Sequence, residues 1–77
     1  MMYKFFYTSH CPRCPQVKKY LEQRKDIEGS WIAADTDEGL NEARKHQIMQ
    51  VPTVIFFENN GEIGRAGTIA EIESFAG

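Results

Sequence analysis

The chain has 77 residues, room for one domain. Its 42% hydrophobic and 26% charged residues are those of an ordinary folded domain, which excludes a disordered tail. A net charge of −2 gives no electrostatic drive toward nucleic acid or an acidic membrane surface, and no apolar run approaches the ~20 residues that span a bilayer. The opening "MMYKFFY" is too short and too aromatic for a signal peptide, so a cytoplasmic protein is expected.

"YKFFY" at residues 3–7 is predicted as a short buried strand. After the segment bearing the two cysteines, "CPQVKKYLEQRK" sets Cys14, Val17 and Leu21 at helical spacing. "GSWIAAD" around Trp31 and Ile32 is a second strand, with Asp35 expected in the turn that follows. "DTDEG" supplies acidic residues and caps for a helix through "LNEARKHQ", with Leu40, Ala43 and Gln47 on one face. "VPTVIFF" is the strongest strand signal. Asn59-Asn60-Gly61 favours positive φ and joins Thr53–Glu58 to a strand near Glu62–Ala66 as a hairpin. A last helix carries Ile69, Ile72, Phe75 and Ala76 on one stripe, with Thr68 as N-cap. The order β-α-β-α-β-β-α calls for an α/β fold: a mixed four-stranded sheet, with a parallel crossover at the front, an antiparallel hairpin later and helices on both faces. Tyr3, Phe5, Trp31, Phe56 and Phe57 are expected to fill the core.

Cys11 and Cys14, the only two cysteines, stand where the first strand gives way to a helix. Pro12 suits the first helical position, which would aim the free amides and positive dipole end of the helix at the Cys11 sulfur. Thiols so placed have pKa values lowered to about 3.5–7.5 from about 8.5. Arg13 adds a positive charge nearby, and His10 offers a hydrogen bond or a charge. Pro15 in this frame removes an amide at the fourth helical position and distorts the first turn. Cys11 is thus expected to act as thiolate nucleophile on a partner disulfide, and Cys14, more shielded, as the resolving thiol that leaves a Cys11–Cys14 disulfide.

Two other uses of the pair have to be weighed. An inert staple would close a very small loop, in a compartment that keeps thiols reduced. A structural zinc site needs four ligands, and neither His10 nor His46 completes a second pair; His46 is expected on the solvated face of its helix. An iron–sulfur cluster would need a second copy or outside thiols. Electron exchange stands ahead of both, with no bound cofactor or metal.

The strand, the Cys-x-x-Cys at a helix start, "QVPTVIFF" at 50–57 and "NGEIGRAG" at 60–67 together resemble the thioredoxin/glutaredoxin superfamily over nearly the whole chain. The resemblance implies a single thioredoxin-like domain over 1–77 and a cis Pro52 packed beside the cysteines. It also implies a Val51 backbone free to pair with an extended partner segment, as in β-augmentation. The implied activity is that of a monomeric dithiol–disulfide oxidoreductase, drawing electrons from a flavin-dependent NADPH thioredoxin-reductase-like enzyme and reducing disulfides in partner proteins. The alternatives are a glutathione-dependent glutaredoxin and a metal-binding module. Gln50 stands where glutathione-binding members carry threonine, and "GRAGTIAE" lacks their Gly pair. Against thioredoxin, His10 replaces a tryptophan, Pro-Arg replaces Gly-Pro, and Phe5 occupies the place of a buried acid.

Overall fold

Alternation along the first strand sends neighbouring aromatics to opposite sides of one sheet, and two cores form around them. The computed structural model describes residues 1–76. Its strands are β1 (Met2–Tyr7), β2 (Glu28–Ala33), β3 (Thr53–Glu58) and β4 (Gly61–Ala66), ordered β2-β1-β3-β4. The helices are α1 (Cys14–Gln23), α2 (Asp37–Lys45) and α3 (Ile69–Ala76). β1 runs parallel to β2, with Phe5 opposite Trp31, and antiparallel to β3, with Phe5 opposite Val54. On one face Tyr3, Phe5, Val54 and Phe56 pack with Val17 and Leu21 of α1 and Ile72 of α3. On the other, Phe6 and Ile55 pack with Ala43 of α2 and with Ile48. The expected order, mixed sheet and two covered faces are therefore what the chain adopts.

The connections follow local chemistry. The Thr36 hydroxyl caps α2 by accepting from the Gly39 N–H at 3.0 Å. Asp37 and Glu38 lie in the first turn of α2 and Arg44 and Lys45 in its last, each sign complementing the dipole there. Gly39 lies so close to the Ala33 carbonyl that no Cβ would fit. Asn59 and Asn60 both take positive φ, 53° and 68°, the backbone of a two-residue hairpin whose twist matches its strands. Thr68 accepts from the Glu71 N–H at 3.2 Å, and Glu71 reaches back to the Gly67 N–H at 3.0 Å, a reciprocal cap that starts α3. Phe75 then stacks on Phe56, ring centroids 5.2 Å apart.

Four expectations about burial and packing need correction. Trp31 does not fill the core: it is 36% exposed, because β2 is an edge strand with no neighbour on its outer side. Its indole N–H donates to the Tyr3 hydroxyl at 3.1 Å, and the Lys18 ammonium lies 5.2 Å above its ring. Phe57, near the end of β3, is only half-buried. The expected apolar face of α2 also fails at two positions. Leu40 is exposed, and Gln47 lies beyond the helix at φ 56°, where α2 has already ended in a left-handed residue.

His46 is the fourth. Its side chain is 17% exposed, between the rings of Phe6 and Phe57, each 6.0 Å away and edge-on. Its Nε2 lies 3.2 Å from Glu42 Oε1, and Lys4 Nζ donates to the same oxygen at 2.7 Å. The Lys4 hydrogen bond, which outweighs the upward push of burial and is joined by the charge of Lys4 and the His46 contact, holds the Glu42 carboxyl below its ordinary value of 4.5. A folded-state value below the unfolded one means that this cluster stabilises the fold above 4.5, and that the stabilisation is lost as pH falls through the folded-state value. Lys4→Met should therefore lower the urea midpoint at neutral pH, and the gap from the parent should narrow on acidification. Parallel curves across that range would show that the pair contributes nothing to acid sensitivity.

Candidate active site

β1 delivers the chain to the rim of the sheet at Tyr7, and α1 takes it back down from Cys14. The turn between them carries the cysteines. Cys11 and Cys14 are joined as a disulfide, their Cα atoms 5.4 Å apart, and both are buried, Cys11 at 9% exposure and Cys14 at 4%. Both belong to the core cluster built on Phe5 and Phe56.

The helix starts later than Pro12. Arg13 is its N-cap and Cys14 its first residue, which puts Pro15 at the second position. The two prolines decide this. A helix opened by Pro12 would set Pro15 where its missing N–H is needed for the first intrahelical bond and where its ring would clash. Starting at Cys14 places Pro15 among the positions whose amides have no intrahelical partner, so it distorts nothing. Pro12 lies in the preceding turn. The positive end of the α1 dipole is consequently at Cys14, three residues past Cys11, and its effect on Cys11 acts across the turn.

His10, Pro12 and Arg13 are exposed around Cys11, which places two basic side chains on the rim of the disulfide. Phe5 is fully buried in the cluster that holds both cysteines. Among the described residues, Thr53 is the buried polar one, so no buried carboxylate stands beneath the disulfide. Asp35 sits in the turn after β2 and is exposed. The Ser9 amide and then its hydroxyl, outweighing partial burial, hold its carboxyl below the usual range, with a smaller contribution from the charge of His10.

The segment before β3 completes the site. The Val51–Pro52 peptide bond is cis, and Pro52 is buried. Half-buried Val51 packs against the cluster containing the cysteines and against the core on the opposite face. The Thr53 hydroxyl donates to the Gln50 carbonyl at 2.6 Å, tying this segment to the start of β3. Gly67, between β4 and α3, approaches the Pro52 carbonyl closely enough that an added Cβ would touch it at 3.5 Å. Beside this segment runs an open groove of about 280 Å³ lined by Gln47, Met49, Gln50, Arg65, Gly67 and Glu71 among others, and Met49 is 92% exposed. Cys11, Cys14 and Val51, distant in sequence, thus share one packed cluster, with buried Pro52 next to Val51 in the chain and His10, Pro12 and Arg13 exposed on either side of Cys11. Among the described residues no group of three or more His, Cys, Asp or Glu side chains is arranged to hold a metal. The contact between Ser9 and Asp35 joins positions 26 apart and left no local pattern to read.

Comparison with known proteins places this geometry. No family model matches the chain. A probable thioredoxin of Archaeoglobus fulgidus is 36% identical over 58 residues, which cover 71% of this chain and 64% of that protein. Thioredoxin-2 of Saccharomyces cerevisiae is 30% identical over 64 residues, 78% of this chain and 60% of that protein. The chain thus spans a little under two thirds of the length of these curated relatives. Among solved structures, oxidized thioredoxin O2 from Arabidopsis thaliana superposes with a TM-score of 0.83 at 16% identity, covering 96% of this chain and 70% of that one. Thioredoxin 1 from Thermosipho africanus gives 0.75 at 23% identity, covering 96% and 88%. At those identities the structural likeness establishes the fold.

Proposed function

The chain belongs to the thioredoxin/glutaredoxin superfamily as a thioredoxin-like protein with the thioredoxin fold, and from that premise we propose that it is a dithiol–disulfide oxidoreductase that reduces disulfides in partner proteins. The observation that carries this reading is the Cys11–Cys14 disulfide at the β1–α1 turn, packed in one cluster with Val51.

In the reduced protein, the Cys11 thiolate attacks one sulfur of the partner disulfide. A bond forms from Cys11 to that sulfur, the partner S–S bond breaks, and the second partner sulfur leaves as a thiolate and takes up a proton. Cys14 gives its proton to water or to a departing thiolate, since no buried carboxylate stands ready, and its sulfur attacks Cys11. The mixed disulfide breaks, the Cys11–Cys14 disulfide forms, and the partner leaves with two electrons and two protons more than it brought. His10, Pro12 and Arg13 tune the thiolate of Cys11. The Val51 backbone, before Pro52, pairs with the extended segment that presents the partner disulfide.

A flavin-dependent, NADPH-using reductase of the thioredoxin-reductase kind resets the pair. The chain works as a monomeric single domain in the cytoplasm, with no cofactor besides its cysteines. Among the described residues no helix is long and apolar enough to cross a membrane. Reduction of insulin disulfides tests the activity, with turnover measured once with NADPH and a thioredoxin reductase and once with glutathione alone. Turnover supported by the reductase agrees with this reading; turnover supported by glutathione alone reassigns the protein as a glutaredoxin; none with either, nor with dithiothreitol, overturns the activity.

A further inference from the structure

We propose that Asp35 is a positioning residue of the cysteine site, its carboxylate anchoring the turn that carries Cys11 to the turn that follows β2. This rests on the thiol–disulfide reading of that site. One oxygen of Asp35, Oδ2, accepts two hydrogen bonds from a single residue, the Ser9 N–H at 3.0 Å and the Ser9 hydroxyl at 2.7 Å. Ser9 lies two residues before Cys11. The last backbone rung between the two strands, Ala34 N–H to the Tyr7 carbonyl at 2.7 Å, closes just short of it. Past that rung the turn is held by a long bond from the Cys11 N–H to the Thr8 carbonyl at 3.4 Å, by the packing of Cys11 in the core cluster, by the Asp35 contact and by the disulfide. Its side chains at His10, Pro12 and Arg13 face solvent and give it no packing.

The anchor matters most in the dithiol form. Reduction removes the covalent tie, and the Asp35–Ser9 bonds then limit how far Cys11 wanders from Cys14, whose place is set by α1. The effective concentration of one thiol at the other decides how favourable ring closure is. A released turn gains freedom in the dithiol state, so the disulfide becomes easier to reduce. Asp35 acts through Ser9, the residue to which it is hydrogen-bonded. The two Ser9 hydrogen bonds also hold its carboxyl below the usual range.

The measurement is the equilibrium of the full chain with glutathione, read by thiol alkylation and mass. Asp35→Ala should move it toward the dithiol by about three- to ten-fold, the scale of a partly exposed charge-assisted hydrogen bond. Asp35→Asn, which keeps an oxygen able to accept from Ser9 but loses the charge, should shift in the same direction and by clearly less than Asp35→Ala. Ser9→Ala, which loses one of the two bonds at an exposed position, should shift in the same direction as Asp35→Ala and by less; it decides the matter if Asp35→Ala does not fold. An equilibrium unmoved in Asp35→Ala or, failing that, in Ser9→Ala overturns the proposal, as does an Asp35→Asn shift as large as that of Asp35→Ala, which would assign the effect to charge. Insulin reduction by the parent runs alongside. A parent that equilibrates with glutathione and reduces no protein disulfide defeats the functional reading while the anchoring result stands.

Discussion

Cys11→Ser should reduce protein disulfides no faster than the buffer does, while Cys14→Ser should accumulate as a mixed disulfide with its target. The two outcomes differ because the proposed mechanism gives the two sulfurs different work. The first step needs a thiolate that a partner can reach, and a serine hydroxyl at position 11 is no nucleophile for sulfur near neutral pH. The second step needs a thiol held against Cys11, and without Cys14 the link to the partner has no internal attacker. Exposure separates the pair only modestly, at 9% for Cys11 and 4% for Cys14. The larger difference is their setting: Cys11 sits in an exposed turn between His10 and Pro12, whereas Cys14 is the first residue of α1. Intact mass after incubation with an oxidised target, with and without reductant, reads both variants. Full activity in Cys11→Ser would overturn the nucleophile assignment, and a trapped adduct on Cys14 in that variant would exchange the two roles.

Phe5→Ala should cost about 3–5 kcal/mol, the usual loss when a buried Phe is truncated to Ala. For a chain of this size that is a large share of the whole, since stability runs at roughly 0.05–0.15 kcal/mol per residue. Phe5 is fully buried at the middle of β1, its ring edge-on to Trp31 at 6.1 Å and 5.5 Å from the ring of Tyr7. It shares its cluster with both cysteines, so the cavity opens beneath the site as well as within the core. Urea unfolding followed by circular dichroism measures the loss. Trp31→Ala, at a half-exposed edge position, should cost clearly less; equal losses would mean that the ring at 31 supports the core as fully as the one at 5.

Much of this was legible in the chain. Tyr3, Phe5 and Phe6 mark a buried strand, Asn59-Asn60-Gly61 marks the hairpin between β3 and β4, and Thr68 marks a helix start, because each signal depends on residues within a few positions of one another. The cysteine pair and the "VPT" segment drew the candidate site together across the sequence. What local pattern could not show is which strand ends at an edge, and that is why Trp31 was expected inside. Nor could it show that His46, past the end of α2, would find two aromatic rings from β1 and β3. The start of α1 was legible in principle. Pro12 alone satisfies the rule for an opening proline, but Pro15 is then tolerated only if the helix begins after Pro12, as it does at Cys14.

The order of strands in the sheet bears on how the chain is made. The strand earliest in the chain, β1, lies inside the sheet, between β2 and β3. Its parallel partner emerges from the ribosome within about twenty-five residues, but its antiparallel partner arrives only about fifty residues after it. Until then one edge of the most aromatic strand is open and Phe6 has no Ile55 to pack against. Such long-range pairing delays closure of the core until most of the chain has been synthesised. The cysteines, which precede β3 in the chain, are therefore synthesised before the core cluster that holds them can close.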